Sequence, residues 1–240
     1  MSKEAYFRSN PMEWFKDGSQ RYSKYHWDEI ELQARVVGQE VQEAIQKLDN
    51  PVVGVIGFGF GRETEVFFGQ GLQAEIIGVD INGTRFDEAK KMRPHIFNEK
   101  LDILVASMNS LPIENDSFDA TVCLETMMHS DNPGKTLEEL TRVTKPSGII
   151  VFNMSTSQGL LADLLTMTQN EGLTRVAGRI KERVAKDKDS SGKRTQLYTL
   201  QEIARFLANN PGTRLQSVRS YLRGMSTLFV LKKETEESKT

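Results

Sequence analysis

Cysteine is almost absent from this chain of 240 residues: Cys123 stands alone. No intramolecular disulfide can form, and one thiol does not make a zinc cage. An excess of charge of one sign is also missing. Lys and Arg number 31 against 33 Asp and Glu, a formal net charge of -2, so no global basic field attracts nucleic acid or an anionic membrane. No uninterrupted apolar run approaches the roughly 20 residues that span a bilayer, and Met1–Ala5 opens without an apolar leader or cleavage pattern. These absences predict a cytoplasmic protein that binds no metal, nucleic acid or membrane and is a monomer or homodimer. The length suits one large α/β domain.

The first 27 residues read as irregular but rich in aromatics, with Tyr22, Tyr25, His26 and Trp27 at their end. Asp28 and Glu31 form a start resembling a capping box for a helix over 29–48, whose apolar stripe is Ile30, Val37, Val41, Ala44, Ile45 and Leu48. Short apolar runs then alternate with helical patterns. Strands are expected at 52–56, 76–80, 103–106, 120–124 and 149–152, and helices at 62–68, 84–93 and 133–143. Such alternation implies βαβ units and a parallel sheet. Residues 157–197 break the rhythm and turn basic between Arg175 and Arg194. A helix over 199–209 follows, then two alternating runs around Arg223-Gly224 that predict a closing antiparallel hairpin. Cys123 falls within a strand and reads as a small buried hydrophobe.

Two features point to an adenosine ligand. Gly57-Phe58-Gly59-Phe60-Gly61 lies between a strand and a helix, where missing Cβ atoms and free helix N–H groups let a ligand approach the backbone. Asp80 ends the second strand, where a carboxylate can accept from both ribose hydroxyls. A glycine loop alone does not choose the ligand. Position 62 is Arg where the dinucleotide fingerprint G-x-G-x-x-G has its third glycine, which leans away from a nicotinamide dehydrogenase.

Further along, Leu111-Pro-Ile-Glu-Asn-Asp-Ser117-Phe118-Asp119 resembles the "LPF-x-x-x-SFD" signature of class I S-adenosylmethionine-dependent methyltransferases, particularly their ubiquinone/menaquinone and small-molecule branch. Leu137-Glu-Glu-Leu-Thr-Arg142-Val-Thr-Lys145-Pro146-Ser147-Gly148 is similar to that family's "E-x-x-R-V-L-K-P-G-G" segment. With the loop and Asp80, the resemblance covers about residues 50–155. It implies a Rossmann-like, doubly wound, seven-stranded sheet with six strands parallel and the last reversed. An N-terminal helical lid (1–27), a helical insertion (157–197) capping the acceptor and a frayed tail (233–240) would complete a single domain spanning 28–232.

The resemblance also implies roles. Gly57, Phe58, Gly59 and Gly61 would hold the methionine part of S-adenosyl-L-methionine, and Asp80 with Ile81 the ribose and one adenine face. Ser107, Met108 and Asn109 would line the adenine edge, and Leu124 and Glu125 would lie beside the methionine moiety and the transferred methyl. The family usually has an acid at the position of Val55 and often an aspartate at that of Ser107. His129, with Glu125 as second candidate, would be the general base for an oxygen acceptor. Tyr22, Tyr25, His26 and Trp27 would form the lid, and the basic residues of 157–197 either meet an anionic acceptor or form a solvated helix face.

The reading is a methyltransferase forming an O- or N-methyl product on a small molecule. The alternative is a cofactor-binding, catalytically inactive partner protein, suggested by Val55 and Ser107. A nucleic-acid methyltransferase fits less well, because Glu125-Thr-Met-Met-His129 is not the Asn/Asp-Pro-Pro-aromatic motif of base-amino methylation.

Overall fold

A computed structural model describes residues 24–155, 199–210, 212–221 and 226–235. Helix α1 (Lys24–Ile45) leads into β1 (Val52–Ile56), α2 (Arg62–Gly69), β2 (Glu75–Asp80), α3 (Gly83–Met92), β3 (Leu101–Val105), β4 (Phe118–Cys123), α4 (Pro133–Val143) and β5 (Thr144–Ser155). After the undescribed 156–198 come α5 (Leu200–Ala208), β6 (Thr213–Tyr221) and β7 (Ser226–Lys233). The seven strands form one sheet in the order β3-β2-β1-β4-β5-β7-β6. β7 runs antiparallel to both β5 and β6, and every other pairing is parallel. This is the doubly wound architecture that the resemblance implies.

Short apolar strands form here because both faces are covered. Val53, Val55, Ala120, Val122, Ile149 and Val151 pack with α1 and α2 residues such as Val37, Val41 and Phe67 on one side. Ile56, Phe118, Cys123, Ile150 and Phe152 pack with α4 residues Leu137, Leu140 and Val143 on the other. Each buried aliphatic or aromatic side chain contributes about 1.5–3 kcal/mol. Two strand glycines make room for rings: a Cβ on Gly54 would fall 2.5 Å from the Phe118 ring, and one on Gly78 2.3 Å from Phe58. Local signals set the helix starts. The Asn82 side chain accepts from Thr84 N–H ahead of α3, Asn132 caps α4 with Pro133 in its first turn, and Thr199 and Glu202 form a full capping box on α5.

Several boundaries differ from the sequence reading. α1 spans Lys24–Ile45, so Tyr25, His26, Trp27 and Asp28 lie within the helix rather than ahead of it. Glu31 instead pairs with Arg35 one turn on, at 2.6 Å on the exposed face. α1 also ends at Ile45, which leaves Leu48 exposed beyond it, and the exposed Ala44 leaves the stripe to Ala34 and Gln33. β5 extends well past 149–152 because Thr144 pairs with β4 ahead of a bulge and Ile149 to Ser155 pair with β7. Lys233, placed in the tail by composition, is the last residue of β7. It is tied down by donating to Thr144 O at 2.7 Å and pairing with Asp116 at 2.6 Å. Tyr22, Arg223-Gly224 and the whole of 157–197 lie outside the described residues.

Candidate active site

The sheet order reverses between β1 and β4, whose carboxyl ends therefore open a crevice, the place where open α/β sheets bind ligands. The glycine loop leaves β1 and Leu124-Glu125 leaves β4, side by side. Gly57, Gly59 and Gly61 all have left-handed backbones, with φ of 80°, 57° and 75°, which favours glycine at each. Their surroundings differ. A Cβ on Gly57 would fall 2.1 Å from Thr126 Oγ1, and one on Gly61 2.5 Å from Ile96, whereas one on Gly59 would meet only Gly57 O at 3.8 Å. The first and last glycines are packing positions, and Gly59 is the open face.

Phe58 contributes only backbone. Its ring is buried against Gly78 and Phe86, with centroids 5.3 Å apart for the aromatic pair, while its N–H and that of Gly57 donate to Val79 O at 2.8 and 2.7 Å. Asp80 underpins the loop. Its Oδ2 accepts from Gly59 N–H at 2.8 Å and faces Arg85 Nη1 at 3.4 Å, while Oδ1 accepts from Asn82 N–H at 3.0 Å. A carboxylate offers about four acceptor positions, so one remains. Ile81 is half-buried beside it.

Beyond β3, Ser107 Oγ accepts from Asn109 N–H at 3.1 Å, fixing the turn through Met108. The Asn109 side-chain Oδ1 accepts from Ser130 Oγ at 3.0 Å and Thr136 Oγ1 at 2.6 Å, so that oxygen secures the turn to α4. Leu124 is buried in the core. His129 ends a single 3-10 turn, Met127–His129, four residues after Glu125, and is half-buried. The Cys123 thiol is pushed up to about 12 by burial, which agrees with an inert core residue.

Glu125 has features that the motif did not announce. Its backbone is left-handed at φ 50°, a conformation that costs a non-glycine residue about 1–2 kcal/mol. Asn153 of β5 holds it from both sides: its Oδ1 accepts from Glu125 N–H at 2.6 Å and its Nδ2 donates to the Glu125 carboxylate. Asn153 also donates to Ser226 Oγ at 2.8 Å, and Gln33 of α1 reaches both. Gln33, Asn153 and Ser226 are nearly fully buried. Burial pushes the Glu125 carboxyl above the usual carboxylate range and the nearby Glu63 adds to the rise, while Arg62 and the Asn153 and Ser226 hydrogen bonds oppose it. Sequence reading missed Gln33, Asn153 and Ser226. A glutamine within the buried stripe of α1 and an asparagine inside an apolar strand were the available signals.

The two signature segments do different work. Asp119 accepts from Val52 N–H at 2.9 Å and pairs with Lys145 at 2.9 Å. Arg142 donates to Leu111 O, Ile113 O and Asn115, and to Glu139, which accepts from Leu111 N–H at 2.7 Å. The two signature segments bind each other, with Asp119 and Lys145 at the amino ends of their strands and away from the crevice.

The model for the methyltransferase domain matches residues 55–152. That stretch holds the loop, Asp80, Glu125 and both signature segments. Residues 55–152 belong to the class I S-adenosylmethionine-dependent methyltransferases. The domain is 33% identical over 109 residues to a mitochondrial ubiquinone biosynthesis O-methyltransferase of Dictyostelium discoideum, covering 41% of this chain and 33% of that one. It is 28% identical over 111 residues to a demethylmenaquinone methyltransferase of Renibacterium salmoninarum, 46% of this chain and 44% of that one. The chain thus spans less than half the length of these curated relatives. In fold it is similar to magnesium protoporphyrin IX methyltransferase from Synechocystis PCC 6803 with bound S-adenosylhomocysteine, with a TM-score of 0.67, 13% identity, and 97% and 100% of the two chains covered.

The family's cofactor is S-adenosylmethionine, and the residues of this methyltransferase domain fit it. Gly59 leaves room for close approach, Asp80 keeps an acceptor position, and the loop opens into the N-terminus of α2. Among the described residues there is no group of metal-ligating side chains, and no helix is long and apolar enough to cross a membrane.

Proposed function

We propose that the chain methylates an oxygen or nitrogen atom of a small-molecule acceptor by in-line transfer from S-adenosylmethionine. The observation that carries this reading is the open face of Gly59, latched to Asp80 and flanked by the β4 turn that holds Glu125. When bound, the cofactor supplies a methyl group already activated on a sulfonium, so the protein's main work is alignment. The loop backbone from Gly57 to Gly61 holds the methionine part. Asp80 takes a ribose hydroxyl on its remaining acceptor position, and Ile81 covers one adenine face. The turn Ser107–Asn109 borders the adenine edge, and Leu124 and Glu125 bound the methyl side.

His129 acts as general base where the acceptor is a hydroxyl; a deprotonated or amine acceptor needs none. The lid formed by Tyr22, Tyr25, His26 and Trp27 and the insertion 157–197 choose the acceptor. The near-neutral charge favours a small molecule over nucleic acid and is compatible with a cytoplasmic monomer or homodimer.

Titration calorimetry with S-adenosylmethionine, S-adenosylhomocysteine and NAD(P)H tests the cofactor, with saturable binding of the first two alone expected. No binding at millimolar S-adenosylmethionine sinks the reading. Methyl transfer from labelled cofactor to a panel of phenols, quinols, amines and transfer RNA then tests the acceptor class. Binding without turnover across that panel favours the inactive partner protein.

A further inference from the structure

A bound amino-acid tail brings an ammonium group into a crevice with little water, where a cation needs a hydrogen-bonded counter-charge. β1, from Val52 to Ile56, has no ionisable side chain, and Val55 is buried in the apolar core. Other acids around the loop are already committed to cations. Asp80 faces Arg85 and two backbone N–H groups, Glu63 pairs with Arg62 at 2.8 Å, and Glu65 pairs with Arg93 at 2.7 Å and His95 at 2.9 Å. Glu125 differs, because the groups that hydrogen-bond its carboxyl are the neutral Asn153 and Ser226. It leaves β4, the hydrogen-bonded neighbour of β1, and the next residue, Thr126, fills the space beside Gly57.

We infer that Glu125 is the counter-charge for the ammonium of the cofactor's amino-acid end, and that Asn153 positions it by holding both its backbone and its carboxyl group. The inference rests on the cofactor reading above. An ammonium donates hydrogen bonds that a carboxylate accepts, whereas the sulfonium has none to give. The left-handed backbone of Glu125 is maintained by the bond from its N–H to Asn153, so the clamp presets the side chain before the ligand arrives. The charged groups that influence the carboxyl are Arg62 and Glu63, both on α2; α1, β5 and β7 contribute the neutral Gln33, Asn153 and Ser226. Burial keeps the empty site's carboxyl protonated to higher pH than usual. On binding, the Glu125 carboxylate accepts hydrogen bonds from the ammonium.

S-adenosylhomocysteine and 5′-methylthioadenosine separate this role from a structural one, since the second keeps the adenosine and the sulfur but lacks the amino acid. In calorimetry, Glu125→Gln should weaken S-adenosylhomocysteine roughly tenfold or more, the size of a lost charge-assisted hydrogen bond, and leave methylthioadenosine unchanged. Glu125→Asp should recover part of the loss, and Asn153→Ala should show the same selectivity to a smaller degree. Methylthioadenosine binding also reports that each variant is folded. Equal S-adenosylhomocysteine affinity in wild type and Glu125→Gln, or equal weakening of both ligands, overturns the inference alone. If the wild type binds neither ligand, the cofactor reading falls as well.

Discussion

Two polar networks stand at opposite ends of the same sheet. At the amino ends, Asp119, Lys145, Glu139 and Arg142 join the two signature segments to each other and to the start of β1. At the carboxyl ends, Glu125, Asn153, Ser226 and Gln33 gather from four elements beside the glycine loop. The first network is conspicuous in the sequence and works on the fold. The second carries no motif and borders the proposed cofactor site. Recognising the family and locating its reacting groups are therefore separate inferences, because the residues that support each sit at different ends of the strands.

Substitutions can break or sharpen this contrast. The largest effect is expected from Gly57→Ala, which combines a left-handed backbone with a Cβ lying 2.1 Å from Thr126. It should cost about 3 kcal/mol or more in denaturant unfolding and abolish cofactor binding. Asp80→Ala removes a buried acceptor from Gly59 N–H and a charge partner from Arg85, so both stability and cofactor affinity should fall by about 1.5–3 kcal/mol. Unchanged affinity would show that Asp80 is only a loop latch.

Arg142→Ala should behave differently, lowering stability by about 2 kcal/mol through the stranded carbonyls of Leu111 and Ile113. Its folded fraction should bind S-adenosylhomocysteine as the wild type does; a large affinity loss would merge the two networks into one. Gly59→Ala should lose only about 1 kcal/mol of stability, from backbone conformation alone, yet weaken the cofactor severely because its methyl group enters the open face. Smallest in stability is His129→Ala, within about 0.5 kcal/mol. It should lower turnover on hydroxyl acceptors with little change in cofactor affinity, and an unaffected rate removes His129 from catalysis.

Elements with local causes were legible. The strand 52–56, the helix over 133–143 behind Asn132-Pro133, and Asp80 at a strand end follow from apolar runs, caps and breakers within a few residues. Boundaries set by partners were not. Thr144 to Ser155 extend as one strand because β4 and β7 flank them, and Lys233 is fixed by acceptors more than 80 residues away in sequence.

The glycine loop shows both sides of this division. Its composition alone made a closely approachable backbone between strand and helix possible, and glycine takes the left-handed conformations found there cheaply. Which glycine stays uncovered was decided by Thr126 and Ile96, distant residues that pack on Gly57 and Gly61 and leave Gly59 open. Likewise, sequence resemblance brought Glu125 to the end of β4, but its neutral clamp exists only once α1, β5 and β7 converge there. Local propensity acts over one turn or one strand, whereas burial and hydrogen bonding act between whichever residues the sheet order makes neighbours.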